Sequence, residues 1–203
     1  MSIPSSLWIQ THNGGVYDYD SSENSTPITP HTIAHSLART YRFRGHSRYR
    51  WTVAEHSLLV RNIGMQLLSS NEERLLAAPY LLLHDAHEAF LGDMPAPLKK
   101  YLREKYKFDM TQMEKLTDKR IRKDLKLNPP NGWVLALIGE ADIYALKLER
   151  EAFMASKHEW VIDEIKIPID IKVALEKELS AQTLTRVFRN AIQDAIHATQ
   201  PTT

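Results

Sequence analysis

The chain has 203 residues, 43% of them hydrophobic and 25% charged, a composition that suits one globular domain with a sizeable core and excludes a disordered chain. It contains no cysteine, which excludes disulfides, thiolate metal sites and cysteine nucleophiles; any metal site must use His, Asp, Glu or water. A net charge of +1 gives no global case for nucleic acid as a partner, and no apolar run approaches the length that spans a membrane.

The opening stretch, MSIPSSLWIQTHNGG, lacks a basic region followed by an apolar run, so a signal peptide is not expected and a cytoplasmic location is. SLWIQ and GVYDYD flank the turn THNGG and are predicted to form a short hairpin. After the polar loop SSENSTPITP, Thr29 as N-cap and Pro30 at the first helical position open a helix to about Thr40. YRFRGHSRYRW is a basic, aromatic loop. Thr52 caps a second helix, VAEHSLLVRNIGMQLL, and SSNEE opens a third through RLLAAPYLLLHDAHEAFLG, with Pro79 as a candidate kink. GDMPAP is a turn, and the charged stretch after it, to about residue 125, reads as helical. NPPNG breaks the chain before the strong helix WVLALIGEADIYALKLEREAFM. IKIPIDI is an extended link, and VALEKELSAQTLTRVFRNAIQDAIHA is an amphipathic last helix with a stripe of Leu184, Val187, Phe188, Ala191 and Ala195. The expectation is an all-α helical bundle in a single domain over residues 1–203, with its helical core at about 30–200 and a short extended N-terminal segment.

Three helices carry ionisable residues on apolar faces. His56 lines up with Val53, Leu59, Val60 and Ile63. His84 and Asp85 end the apolar run YLLL, and Asp142 lines up with Ile138, Ala145 and Leu146, unlike Glu140, Lys147 and Glu149, which read as solvent-facing. A single histidine on such a face is ordinarily a hydrogen-bonded core residue. Two imidazoles and two carboxylates together supply nitrogen and oxygen ligands and neutralise a divalent charge. Such a mixed set suits Mn, Fe, Co, Ni or Zn better than Mg or Ca, which prefer oxygen alone. An ion so held makes hydroxide available near neutral pH and polarises a phosphoryl group.

His56, the His84–Asp85 pair and Asp142 follow the H…HD…D order of the HD-domain metal-dependent phosphohydrolases, which this chain resembles. VAEHS, LLHDAHEAFLGDMPAPLK and EADIYALKLE are similar to the branch of bacterial 5′-deoxynucleotidases and their phage relatives. These include dATP triphosphohydrolases of phages that replace adenine by 2-aminoadenine. The similarity covers roughly residues 30–150.

The resemblance implies His56, His84, Asp85 and Asp142 as metal ligands, with Asp85 bridging two ions if a second is present. It implies Glu88 as general acid/base and Asp93 as a carboxylate that orients water or leaving group. Arg42 and Phe43 match, one residue out of register, an Arg–aromatic pair that holds substrate. Arg44 and Lys99 are further phosphate-binding candidates, and Phe43 could stack on a base. Glu88 follows His84 by four residues, which on one helix puts both on the same side. No role is given to His87. Lys100 reads as solvated.

The implied activity is metal-dependent hydrolysis of a deoxynucleotide, with a dATP triphosphohydrolase favoured: the several arginines before the first ligand lean towards a polyphosphate, and the phage relatives of the branch towards deoxyadenosine nucleotides. The alternatives are a 5′-deoxynucleotidase acting on dNMP and an HD signalling hydrolase acting on ppGpp or cyclic nucleotides. The implied partners are a small-molecule nucleotide and further copies of the chain in a homo-oligomer, in the cytoplasm of a bacterium or a phage-infected host.

Overall fold

The computed structural model describes residues 7–20, 23, 25–155, 160–168 and 179–199. Strand β1 (Trp8–Gln10) pairs antiparallel with β2 (Val16–Asp18), with Ile9 opposite Tyr17. The turn between them closes on Thr11 N–H to Gly15 C=O at 2.8 Å, and Gly14 takes φ +80°, which a side chain would strain. This is the predicted hairpin.

Helix α1 (Pro30–Leu37) starts where Thr29 accepts a hydrogen bond from Thr32 N–H, and ends three residues before the expected Thr40. Helix α2 (Val53–Leu67) begins with a reciprocal capping box, Thr52 to Glu55 N–H and Glu55 back to Thr52 N–H, a feature that contributes on the order of 1 kcal/mol. Ser70 caps α3 (Asn71–Leu83), which runs unbroken through Pro79. The charged stretch divides into α5 (Ala96–Tyr106) and α6 (Thr111–Asp124), separated where Lys107 adopts a left-handed conformation. Asn131 caps the long α7 (Gly132–Phe153), and the described part of the final helix is α8 (Ala181–Thr199). The earlier start expected for that helix and the second half of the extended link, residues 169–178, lie outside the described residues.

The third helix is a correction. The chain does not continue as one helix through the HD pair. It tightens after Leu83 into successive three-residue turns (Ala86 N–H to Leu83 C=O, Glu88 to Asp85, Ala89 to Ala86) and resumes as the four-residue α4 (Glu88–Leu91). His84 Nδ1 lies 3.0 Å from the Leu81 carbonyl, so the side chain caps the helix end it terminates.

Apolar burial is shared between two clusters. One gathers Ile33, Leu37, Leu82, Phe188 and Ile192 around α1, α3 and α8; the other gathers Leu59, Val60, Ile63, Leu81, Leu137 and Ala141 around α2, α3 and α7. Each such Leu or Ile stabilises the fold by about 1.5–3 kcal/mol. Helices α2 and α3 contribute to both clusters and approach closely at Gly64, where an added Cβ would sit 2.6 Å from Leu81. The described residues are therefore an all-α bundle with one small hairpin, as the sequence implied.

Candidate metal centre

His56 belongs to the buried face of α2 and has no solvent exposure. Its Nε2 lies 3.2 Å from His84 Nε2, 3.1 Å from Asp142 Oδ1 and 3.6 Å from Asp85 Oδ2. His84 Nε2 is 3.2 Å from Asp85 Oδ2 and 4.0 Å from Asp142 Oδ1. The four residues nominated from the sequence thus meet at one point, from α2, the turn after α3, and α7. Asp142 differs in one respect from its expected core-side position: its side chain is 44% exposed and closes the cluster on the solvent side.

The donor chemistry fits a cation. His56 Nδ1 is 2.6 Å from Glu149 Oε1, and His84 Nδ1 faces the Leu81 carbonyl, so both rings donate from Nδ1 and turn the lone pair of Nε2 inward. Two lone pairs 3.2 Å apart repel unless a proton or a metal ion lies between them. Burial opposes charge on His84, but Asp85, Asp142 and the Leu81 carbonyl outweigh it and push the imidazole up to about 9. Asp85 is held well below the usual carboxylate range: burial opposes this, and His84, His56 and Arg42 prevail. The cluster attracts positive charge, and His56, His84, Asp85 and Asp142 would hold a divalent ion.

Glu149 overturns its expected solvent-facing place. It is fully buried, seven residues after Asp142 on the same face of α7. Its Oε1 accepts from His56 Nδ1 and, at 2.7 Å, from Trp51 Nε1, while Oε2 accepts from Arg42 Nε at 3.2 Å and lies 3.1 Å from Arg42 Nη2. Burial works against its charge, yet His56 and Arg42 keep the carboxyl below its ordinary value. Such a carboxylate fixes the ring and tautomer of a metal-binding histidine. The heptad spacing from Asp142 was the signal available in the sequence.

Arg42 bridges Glu149 and the cluster, with Nη1 3.6 Å from Asp85 Oδ2. It is turned inward by two consecutive left-handed residues, Phe43 (φ 54°) and Arg44 (φ 55°), each a conformation that costs on the order of 1–3 kcal/mol outside glycine. Phe43 is half-buried, its ring 6.4 Å from that of Trp160, a residue the sequence did not single out. Arg44 is exposed and makes no hydrogen bond or ion pair among the described residues, so the structure does not bring it to the cluster.

Glu88 reaches the cluster through the tight turn and not along a continuous helix. It is 6% exposed, and burial, Asp85 and Asp93 push it up to about 9. Asp93 is half-buried after Gly92 and is likewise raised, by burial and Asp85 against the pull of Arg42. Lys99 acts electrostatically on both carboxylates but is itself bound to Glu114 at 2.6 Å. Lys100 is exposed and pairs with Glu104 one turn on. His87 is buried, its Nδ1 3.1 Å from Asp118 Oδ1 on α6.

Comparison with known proteins bears on the family to which the chain belongs. A sequence model of the YfbR-like 5′-deoxynucleotidase family matches residues 35–130, a span that holds His56, His84, Asp85, Glu88, Asp93 and Lys99. The chain is 32% identical over 143 residues to the uncharacterised protein YfdR of Escherichia coli, covering 70% of each chain. It is 45% identical over 69 residues to an uncharacterised protein of Rhodobacter capsulatus, covering 33% of this chain and 34% of the other. With the histidine–carboxylate cluster in place and a relative aligned over most of both chains, the protein belongs to the YfbR-like family of HD-type phosphohydrolases, enzymes that use divalent metals.

Proposed function

We propose that the protein is a metal-dependent 5′-deoxynucleotidase that removes the phosphate from deoxynucleoside 5′-monophosphates. The observation that carries this reading is the convergence of His56, His84, Asp85 and Asp142 beside a single inward guanidinium, Arg42. The sequence favoured a dATP triphosphohydrolase from the many arginines of the loop. Of these, Arg42 alone is paired with the cluster among the described residues; Arg44 and Arg48 are exposed and Arg50 bonds the Leu179 carbonyl. One guanidinium fits one phosphate better than three, and the family description points the same way.

When bound, a divalent ion (Mn, Fe, Co, Ni or Zn) supplies Lewis acidity to the phosphoryl group and to water. Arg42 binds the phosphate oxygens, held by Glu149 and directed past Asp85. Glu88, kept protonated near neutral pH by burial and its acidic neighbours, hands a proton to the leaving 5′-oxygen. Asp93 orients the incoming groups, Lys99 offsets the charge that accumulates, and Phe43 packs on the sugar or base. The reading includes a homo-oligomer, to be measured by light scattering, and neither nucleic acid nor membrane as partner; no helix among the described residues is long and apolar enough to cross a bilayer.

The test is a panel of dNMPs, dNTPs, NTPs, ppGpp and cyclic nucleotides with Mn²⁺, Co²⁺ and Zn²⁺, read by chromatography that separates phosphate from triphosphate. Phosphate release from dNMPs is expected to exceed all else. Triphosphate release from dATP as the main activity would restore the second reading, and no turnover by the metal-loaded protein would sink both.

A further inference from the structure

Away from the centre, three histidines gather on the surface where the hairpin turn lies against α1. His12 belongs to the turn between β1 and β2, and His31 and His35 stand one helical turn apart on α1. The ring of His12 stacks on that of His35 with centroids 4.1 Å apart and meets that of His31 edge-on at 4.7 Å, while His31 and His35 are 6.3 Å apart. Imidazoles that share one ion have centroids about 5 Å apart, given metal–nitrogen bonds of about 2.0–2.1 Å. The three separations bracket that value, and they bracket the 5.1 Å between His56 and His84. Among the described residues, none of the three rings makes a hydrogen bond or ion pair. His12 and His31 are exposed, and a cavity of about 380 Å³ beside His12 and His35 leaves room for an ion and its water.

Protonation decides whether such a cluster suits an anion or a cation. Burial, His31 and Arg39 hold His12 below the ordinary imidazole value, and burial, Arg39, His12 and His31 do the same for His35. Two rings stacked at 4.1 Å would repel if both were charged. Neutral imidazoles offer an anion little, but each keeps a nitrogen lone pair, which is the form that ligates transition metals. Arg39 faces the cluster and opposes a cation, yet it is exposed to screening water, and its Nη1 is engaged by the His35 carbonyl and Thr185 Oγ1. Among the described residues, no carboxylate lines the cavity.

We infer that His12, His31 and His35 form a metal site separate from the His56 centre, which takes Zn²⁺, Ni²⁺ or Cu²⁺ through three imidazole nitrogens. A nitrogen set without carboxylates selects these ions over Mn²⁺, Mg²⁺ and Ca²⁺. The half-buried His35 is the fixed ligand, and rotation of the exposed His12 and His31 side chains brings their nitrogens to the same ion. The bound ion ties the hairpin turn to α1 and so braces the strand whose Tyr17 stacks on Phe90.

The experiment is a Zn²⁺ titration of the metal-free full chain by calorimetry, with bound zinc counted by elemental analysis after gel filtration. The wild type is expected to hold one zinc ion per chain more than His12→Asn and one more than His31→Gln, while all three proteins hold the same amount of Mn²⁺. Equal zinc counts in the wild type and the two variants overturn the site, as does a wild-type chain that holds no zinc. A loss of Mn²⁺ that matches the loss of zinc assigns the change to the His56 centre and also overturns it. Where one variant does not fold, the other decides.

Discussion

Glu149 gathers Arg42, Trp51 and His56 on one carboxylate, so the imidazole proposed as a metal ligand and the guanidinium proposed to bind phosphate share one anchor. Glu149→Gln keeps the shape but offers an amide N–H where Arg42 or His56 already donates. The variant is expected to lose about 10–100-fold in metal affinity, measured by competition with a chromophoric chelator, and to raise KM for the nucleotide. Metal affinity equal to that of the wild type would remove Glu149 from the centre. His56 was legible because it stands alone among aliphatic residues at helical spacing. Glu149 was not, because it lies inside the charged run KLERE, where only its spacing of seven from Asp142 sets it apart from its solvated neighbours. Its burial is decided by Trp51 and Arg42, which arrive from another part of the chain.

Among the elements, the small hairpin and α1 hold the turn that carries Glu88 from outside. Tyr17 stacks on Phe90 with ring centroids 4.2 Å apart, Tyr19 Oη donates to the Phe90 carbonyl at 2.7 Å, and Ser36 Oγ of α1 donates to the Ala89 carbonyl at 2.9 Å. All three contacts fall on α4, whose first residue is Glu88. Tyr19→Phe removes one of them and is expected to cost about 0.5–1.5 kcal/mol of stability. It should also lower kcat several-fold at unchanged metal content, and an unchanged kcat would show that α4 needs no such support. Helix starts were readable at Thr29, Thr52 and Ser70, where a side-chain oxygen meets the first free N–H groups. The break at His84 was hidden, because Ala86, Glu88 and Ala89 are sound helix formers; what ends the helix is the tertiary use of His84 and Asp85.

At the scale of the molecule, the centre sits where two apolar clusters meet. Its proposed ligands come from α2 and the end of α3, which serve both clusters, and from α7, which serves one. An ion bound there ties α7 to the rest of the bundle. Metal at about 100 times its dissociation constant should add about 2.7 kcal/mol to stability. For a chain of this size that is a rise of roughly 5–10 °C in Tm, reversed by chelation in scanning calorimetry. A Tm indifferent to chelator in protein shown to bind metal would mean that the site is held rigid without its ion. The bundle itself, and all four corners of the site, were visible in the sequence through apolar periodicity and the H…HD…D order; the seam between the clusters was not, since it depends on which faces of α2 and α3 pack together.

The wide separation of these ligands along the chain also bears on the order of folding. His56 is on the second helix and Asp142 on the seventh, so the site exists only after the intervening helices have closed a long loop, whose entropy must be met by apolar contacts first. Metal capture is then a late event that reports completed assembly. Refolding monitored by helix content should run at the same rate with or without the ion, whereas dissociation of α7 from the folded protein should slow in proportion to metal affinity.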